Sequence, residues 1–397
     1  MKNKFLFLGI AAALFISCES DDTSDIIIND NSVTTTNNTT GGGNPTETSV
    51  NLSGVFTEDL TLDPDVAYII TGPVLMASGT TLTIPAGMTI RAQPVGVNAF
   101  IAIQQGAQIN AVGTASEPIV LTSNASAPSS GDWGGLVLCG SAPINSTADG
   151  STDTATSEVG GLSYGGNTPD DSSGNLQYVR VEYAGGAIDG NAELNGVSLY
   201  AVGSGTTIDF IQVFEGSDDG FEFFGGTVNA SHLAVVNAED DSIDWTEGYT
   251  GTITDVYVQH GTSHDKAFEC DGYNTDFSNV SGSFSNPMVV NASIIGANDA
   301  SEAIRLRAGT QGTFTNIVLT DFDEAFDLDG DTGDNPTGQG VLDDLLNVVD
   351  VTFNNITTTL KNDTGFTFTE ADFITGVGNG TGTDVTTWGA GWTVGIN

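Results

Sequence analysis

Asp218-Asp219-Gly220-Phe221-Glu222-Phe223 and, 22 positions on, Asp240-Asp241-Ser242-Ile243-Asp244-Trp245 carry one pattern twice: an acidic pair, a small residue, then apolar, charged, apolar. Looser copies follow at Asp265-Lys266-Ala267-Phe268-Glu269-Cys270, Ser301-Glu302-Ala303-Ile304-Arg305-Leu306 and Asp323-Glu324-Ala325-Phe326-Asp327-Leu328. A weaker copy precedes them at Leu194-Asn195-Gly196-Val197-Ser198-Leu199. Counted at the first apolar residue, the steps are 24, 22, 25, 36 and 22. A period of this size with occasional insertions marks a solenoid, each repeat being one turn of a coil. The alternation inside each copy is that of a strand with one face inward and one outward.

A second strand signature sits between the copies: Ile208-Asp209-Phe210-Ile211-Gln212-Val213, Ile253-Thr254-Asp255-Val256-Tyr257-Val258 and Phe314-Thr315-Asn316-Ile317-Val318-Leu319. Gly, Asn and Asp turns join these strands, and no helix-length segment separates them. One such unit has nothing to cover its apolar face. Parallel coils stacked about 4.8 Å apart bury it in a continuous core. The expected fold is therefore all-β, a right-handed parallel β-helix forming a single domain over residues 50–397. Asp149–Ser173 lacks apolar periodicity and is expected to loop off as a polar insertion near 149–173. Trp388 and Trp392 are expected to cover the open C-terminal coil, whose bare edge would template aggregation. Cys139 and Cys270 lie in apolar alternating runs and read as buried free thiols.

Composition agrees with this and narrows function. The 397 residues hold 8 Lys plus Arg against 51 Asp plus Glu, for a net charge of −43, and 51 are Gly. A chain so acidic does not bind nucleic acid through a basic surface, and its glycine content argues against helix bundles.

Residues 1–17 combine Lys2 and Lys4 with the apolar run Phe5–Ile16 and read as a signal peptide, too short for a stable membrane span. Cys18 follows Ser17 directly, which resembles the lipobox of bacterial lipoproteins and implies lipidation of Cys18. The acidic cluster Glu19-Ser20-Asp21-Asp22 resembles the signal by which Bacteroidota bring lipoproteins to the cell surface. Residues 18–49, rich in Thr, Asn and Gly, cannot bury a core and are expected to tether the domain. The expected location is the outer membrane, lipid-anchored and facing the exterior.

Further along, Thr81-Leu82-Thr83-Ile84-Pro85-Ala86-Gly87, then Gly113-Thr114-Ala115-Ser116-Glu117-Pro118-Ile119, then Gly131-Asp132-Trp133-Gly134-Gly135 resemble the opening coils of bacterial β-helix surface proteins. With Tyr178–Gly186 and Asp218–Gly226 they make the chain similar to Bacteroidota surface lipoproteins with a right-handed parallel β-helix. The resemblance implies a fold and no activity, and it makes a TonB-dependent receptor a reasonable partner.

Stacking the repeats places Glu222, Asp244, Glu269, Arg305 and Asp327 in one outward column. Carboxylates about 5 Å apart repel by roughly 1–3 kcal/mol per pair at intermediate dielectric. Recurring acidic pairs before each strand could supply the oxygens a hard divalent ion requires, so Asp218, Asp219, Glu222, Asp240, Asp241 and Asp244 form a candidate calcium site. The same residues would also serve as metal-free turn builders that hydrogen-bond to the backbone. Asp240 and Asp241, then His264, then Arg305 follow the order of polygalacturonase active-site residues, without the flanking motifs of that family. Two classes of function therefore stand open. One is a non-catalytic surface module that binds a glycan, a metal-bearing ligand or an outer-membrane receptor; the other is a carbohydrate-active hydrolase or lyase using Asp240, Asp241, His264 and Arg305. A scaffold or adhesin is a third reading.

Overall fold

The structure is a computed structural model that describes residues 34–36, 49–189, 192–330 and 336–396. The expected signal peptide, Cys18 and most of the tether lie outside the described residues. Strands of successive coils pair in parallel and build three ladders, a parallel β-helix. In one ladder the repeat copies fall into register: Phe221 opposite Ile243, Ile243 opposite Phe268, Phe268 opposite Ile304, and Ile304 opposite Phe326. All five side chains are fully buried. Period-two alternation thus turns the spacing of the repeats directly into an interior column.

The other two ladders are halves of longer strands such as Thr207–Phe214, Ala230–Val236 and Thr252–Gln259, bent where the pairing skips one residue. The skipped residues Tyr178, Phe210, His232, Asp255, Asn291, Asn316 and Asp350 all have positive φ. That backbone costs a side-chain-bearing residue about 1 kcal/mol, and stacking compensates it. The rings of Tyr178 and Phe210 lie 4.3 Å apart and those of Phe210 and His232 4.0 Å apart. Lower down, Asn316 Nδ2 donates to Asn291 Oδ1 at 2.8 Å.

One apolar core runs inside the coils from Leu52 to Ile374. A second cluster lies outside, where Val159, Leu162 and Tyr164 cover Tyr200 and Phe224. The stretch 149–173 therefore carries apolar anchors of its own, and the Tyr164 hydroxyl donates to Glu247 Oε2 at 2.9 Å.

The tryptophans correct the expectation drawn from them. The C-terminal coil is covered instead by the short helices Thr337–Leu342 and Glu370–Phe373, with Phe373 buried 5.4 Å from the ring of Phe326. Beyond Thr375, Gly376, Gly378 and Gly382 adopt positive φ and the chain reverses. Trp392 then rests edge-on against Tyr178, and Trp388 against His232, many coils from the end they were expected to close.

Cys139 and Cys270 are free and buried, as expected, and burial pushes the Cys139 thiol up to about 12. In a Cys18→Ser chain, no thiol should react with a colorimetric reagent natively and two should react after unfolding. A thiol that reacts in the native state would show that its coil opens.

Candidate functional site

The floor of the site is the outward column of the repeat ladder, where Glu222 lies opposite Asp244, Asp244 opposite Glu269, Glu269 opposite Arg305 and Arg305 opposite Asp327. Its rim is the turn before each strand. There Asp219 Oδ1 accepts from the Asp241 amide at 3.0 Å, and Asp241 Oδ1 accepts from the Lys266 amide at 2.6 Å. One oxygen of each acid thus ties its turn to the next coil, which is the turn-building role. Parallel register repeats the arrangement at these two successive steps, so their acids converge.

Three neighbouring segments wall the groove: Glu158 from the insertion, Glu193 and Asn195 before the Val197 strand, and Asp276 from the loop after Asp271. The open groove holds about 570 Å³, lined by eleven carboxylates against Lys266 and Arg307. Among the described residues its lining contains no aromatic side chain and no histidine. Carboxylate oxygens meet within 4.8 Å of one another in overlapping groups: Asp218, Asp219 and Asp240; Asp219, Glu222 and Asp244; Asp240, Asp241 and Asp265; Asp241, Asp244 and Glu269. Asp244 Oδ1 is buried without a hydrogen-bond donor among the described residues.

Electrostatics follow from this crowding. Burial first, then Glu193 and Asp240, raise Asp218 to about 8. Asp219, Glu222, Asp241 and Asp244 are likewise held well above the ordinary carboxylate range, by burial first and then by neighbouring carboxylates, Glu158 beside Glu222 and Glu269 beside Asp241 among them. Asn195 relieves Glu222 directly, donating Nδ2 to Oε2 at 2.8 Å. Burial alone would lower Lys266, but Asp241 and Glu269 hold its ammonium raised, and Nζ lies 3.0 Å from Glu269 Oε1. Arg307 is bound by Asp271 Oδ1 at 2.5 Å and by Glu269 Oε2. Lys266 also lies 4.0 Å from Asp241 Oδ1 and partly relieves Asp240 and Asp241, whereas no cation is among the causes acting on Asp218, Asp219 and Glu222.

Of the residues singled out above, Asp218, Asp219, Glu222, Asp240, Asp241 and Asp244 are brought together in this lining. His264 and Arg305 are not part of it. His264 Nε2 pairs with Asp299 Oδ2 at 3.0 Å and its ring stacks on His260. Arg305 is gripped by Glu302, with Nη2 2.6 Å from Oε1 and Nε 2.9 Å from Oε2. The polygalacturonase-type constellation is therefore not assembled in the groove, because Arg305 closes on its own neighbour and Arg307 reaches in.

Sequence reasoning missed Lys266 and Arg307 as groove cations. Lys266 had a signal: in the copy Asp265-Lys266-Ala267 it occupies the place of Asp219 and Asp241. Glu158 and Asp276 had none, since no repeat contains them.

The family model described as a pectate-lyase like beta helix domain matches residues 54–393. Comparison with curated proteins and with solved structures returns no match.

Proposed function

The chain belongs to the pectate-lyase like beta helix domain family, and from that premise we propose that it is a binding module whose acidic groove takes up a hard divalent cation of the calcium type. The observation that carries this reading is the chain of overlapping carboxylate groups around Asp219, Asp241 and Asp244, with Asp244 Oδ1 buried and lacking a donor among the described residues. A buried acceptor without a partner costs about 1–3 kcal/mol, and crowded anions add to it. A cation with six to eight oxygen ligands removes both costs at once. Asp218, Asp219, Glu222, Asp240, Asp241 and Asp244 would hold it, and it would turn an anionic groove into one that attracts acidic glycans or carboxylate-bearing partners.

A carbohydrate-active enzyme is the second reading. Asp240 and Asp241 lying in the groove favours it, and so does the family's lyase-like description. Against it, His264 and Arg305 lie outside the groove, paired with Asp299 and Glu302. From Cys18 and the acidic cluster after it we propose a lipid-anchored protein of the outer membrane facing outward, with a TonB-dependent receptor as a candidate partner.

The test compares thermal midpoints of the mature Cys18→Ser chain in chelator, in millimolar calcium and in sodium chloride of matched ionic strength. Calcium at a hundredfold excess over Kd should stabilise the fold by about 2.7 kcal/mol, and salt should add far less. Asp219→Asn with Asp241→Asn keeps an acceptor oxygen for each turn but should abolish the calcium-specific rise. Equal midpoints in calcium and salt would leave a solvated acidic groove and end the cation reading. Turnover of an acidic polysaccharide would move the balance to the enzyme.

A further inference from the structure

Residues 379–396 run back along the outside of the solenoid and meet the left-handed column rung by rung. Asn379 Nδ2 donates to Asp350 Oδ1 at 3.1 Å, the Thr381 amide to Asn316 Oδ1 at 2.6 Å, and Thr383 Oγ1 to Asp255 Oδ1 at 2.8 Å. Trp388 then packs 5.4 Å from the His232 ring, and Trp392 packs 6.2 Å from Phe210 and 5.7 Å from Tyr178. The tail backbone is recognised as well. The Gln212 side-chain amide donates Nε2 to the Val394 carbonyl at 2.7 Å and accepts at Oε1 from the Val394 amide at 2.9 Å. Arg180 Nη1 donates to the Trp392 carbonyl at 2.7 Å.

These are the contacts of a receptor with a bound peptide: aromatic anchors on a stacked ladder, and a side-chain amide that reads a peptide group. The tail is also separate from the body in the ways that matter for release. None of residues 379–396 belongs to a strand of the solenoid. Its apolar contacts, Val385 and Trp388 with Phe214, Val236 and Tyr257, form a cluster apart from the main core. The connection carries Gly376 and Gly378, which impose little backbone restriction, and Val377 between them is 57% exposed.

We propose that residues 379–396 are a detachable self-ligand seated in a peptide groove, and that this groove accepts the same tail from a second copy of the chain. Release would bare the Tyr178–Phe210–His232 ladder together with Phe214, Val236 and Tyr257. An incoming tail would cover them again with the same contacts.

The test places a protease recognition site between Val377 and Gly378 in the full mature chain. After cleavage, the 378–397 fragment should stay with the body through gel filtration, and an excess of labelled peptide of that sequence should replace it. The emptied body should keep its circular dichroism spectrum and a cooperative thermal transition. Gln212→Ala in the body should speed release about tenfold. Trp392→Ala in the peptide, which leaves the body unaltered, should do the same. Loss of the fragment on cutting would overturn the proposal, as would a fragment that no excess peptide displaces, a body that unfolds when emptied, or release rates unmoved by Trp392→Ala.

Discussion

Replacing Ile243 by aspartate is expected to cost at least about 4 kcal/mol, combining the loss of a buried aliphatic side chain with the burial of an unpaired carboxyl. Ile243 has no exposed surface and lies between Phe221 and Phe268 in the interior column. The nearest cations along the repeat, Lys266 and Arg307, both face the groove on the other side of the strand. Against a total stability of about 5–15 kcal/mol, such a loss removes much of the cooperative transition. Because a solenoid's stability is a sum over nearest-neighbour interfaces, damage in a middle coil acts on both neighbours. Asp244→Asn, one residue further along, faces outward and relieves repulsion from Glu222 and Glu269. In chelator it should raise the denaturation midpoint. Urea titrations of the two variants check the pair, and an Ile243→Asp chain within about 0.5 kcal/mol of the parent would contradict the interior column.

Stability in chelator is expected to fall by several kilocalories per mole between about pH 5 and about pH 8. A carboxyl whose folded pKa lies above its unfolded value of about 4 keeps its proton in the native state while the unfolded chain has lost it. Its contribution is complete below the unfolded pKa and is lost as pH rises through the folded one. Asp218 reaches about 8 through burial and then its acidic neighbours. Glu247 also reaches about 8 through burial, with Tyr164 and Asn274 holding it partly down. Asp219, Glu222, Asp241 and Asp244 shift in the same direction. Calcium competes with those protons, so it should stabilise strongly at about pH 8, weakly at about pH 5, and release protons on binding. Urea midpoints across that range, with and without calcium, make the comparison. A curve in chelator that is flat or rising between those limits would mean that the groove carboxylates are ionised and need no relief.

Much of the groove floor is legible in the amino-acid sequence, for a reason tied to parallel stacking. In a solenoid of nearly constant turn length, equal position in the repeat becomes adjacency in space, so Asp218, Asp240, Glu222 and Asp244 group together from their spacing alone. The same argument names the buried partners Phe221, Ile243, Phe268, Ile304 and Phe326. It fails for Arg305 and Arg307, which share one strand face two positions apart. Which of them enters the groove depends on whether Glu302 or Asp271 captures it, a contest of side-chain geometry that no period encodes.

Sequence by itself therefore determined the coil, its interior column and the acidic floor, because each follows from period-two alternation repeated at a near-constant interval. Only the tertiary structure decided where the non-repeating segments land: Glu158 and Asp276 over the groove, the short helices over the last coil, and the tail with Trp388 and Trp392 along the left-handed column. The physical reason is that a repeat contacts its neighbour at a fixed offset. An insertion or a tail is joined to the stack at a single point and settles where its own apolar and hydrogen-bonding groups find partners, at a distance along the chain that no local pattern specifies.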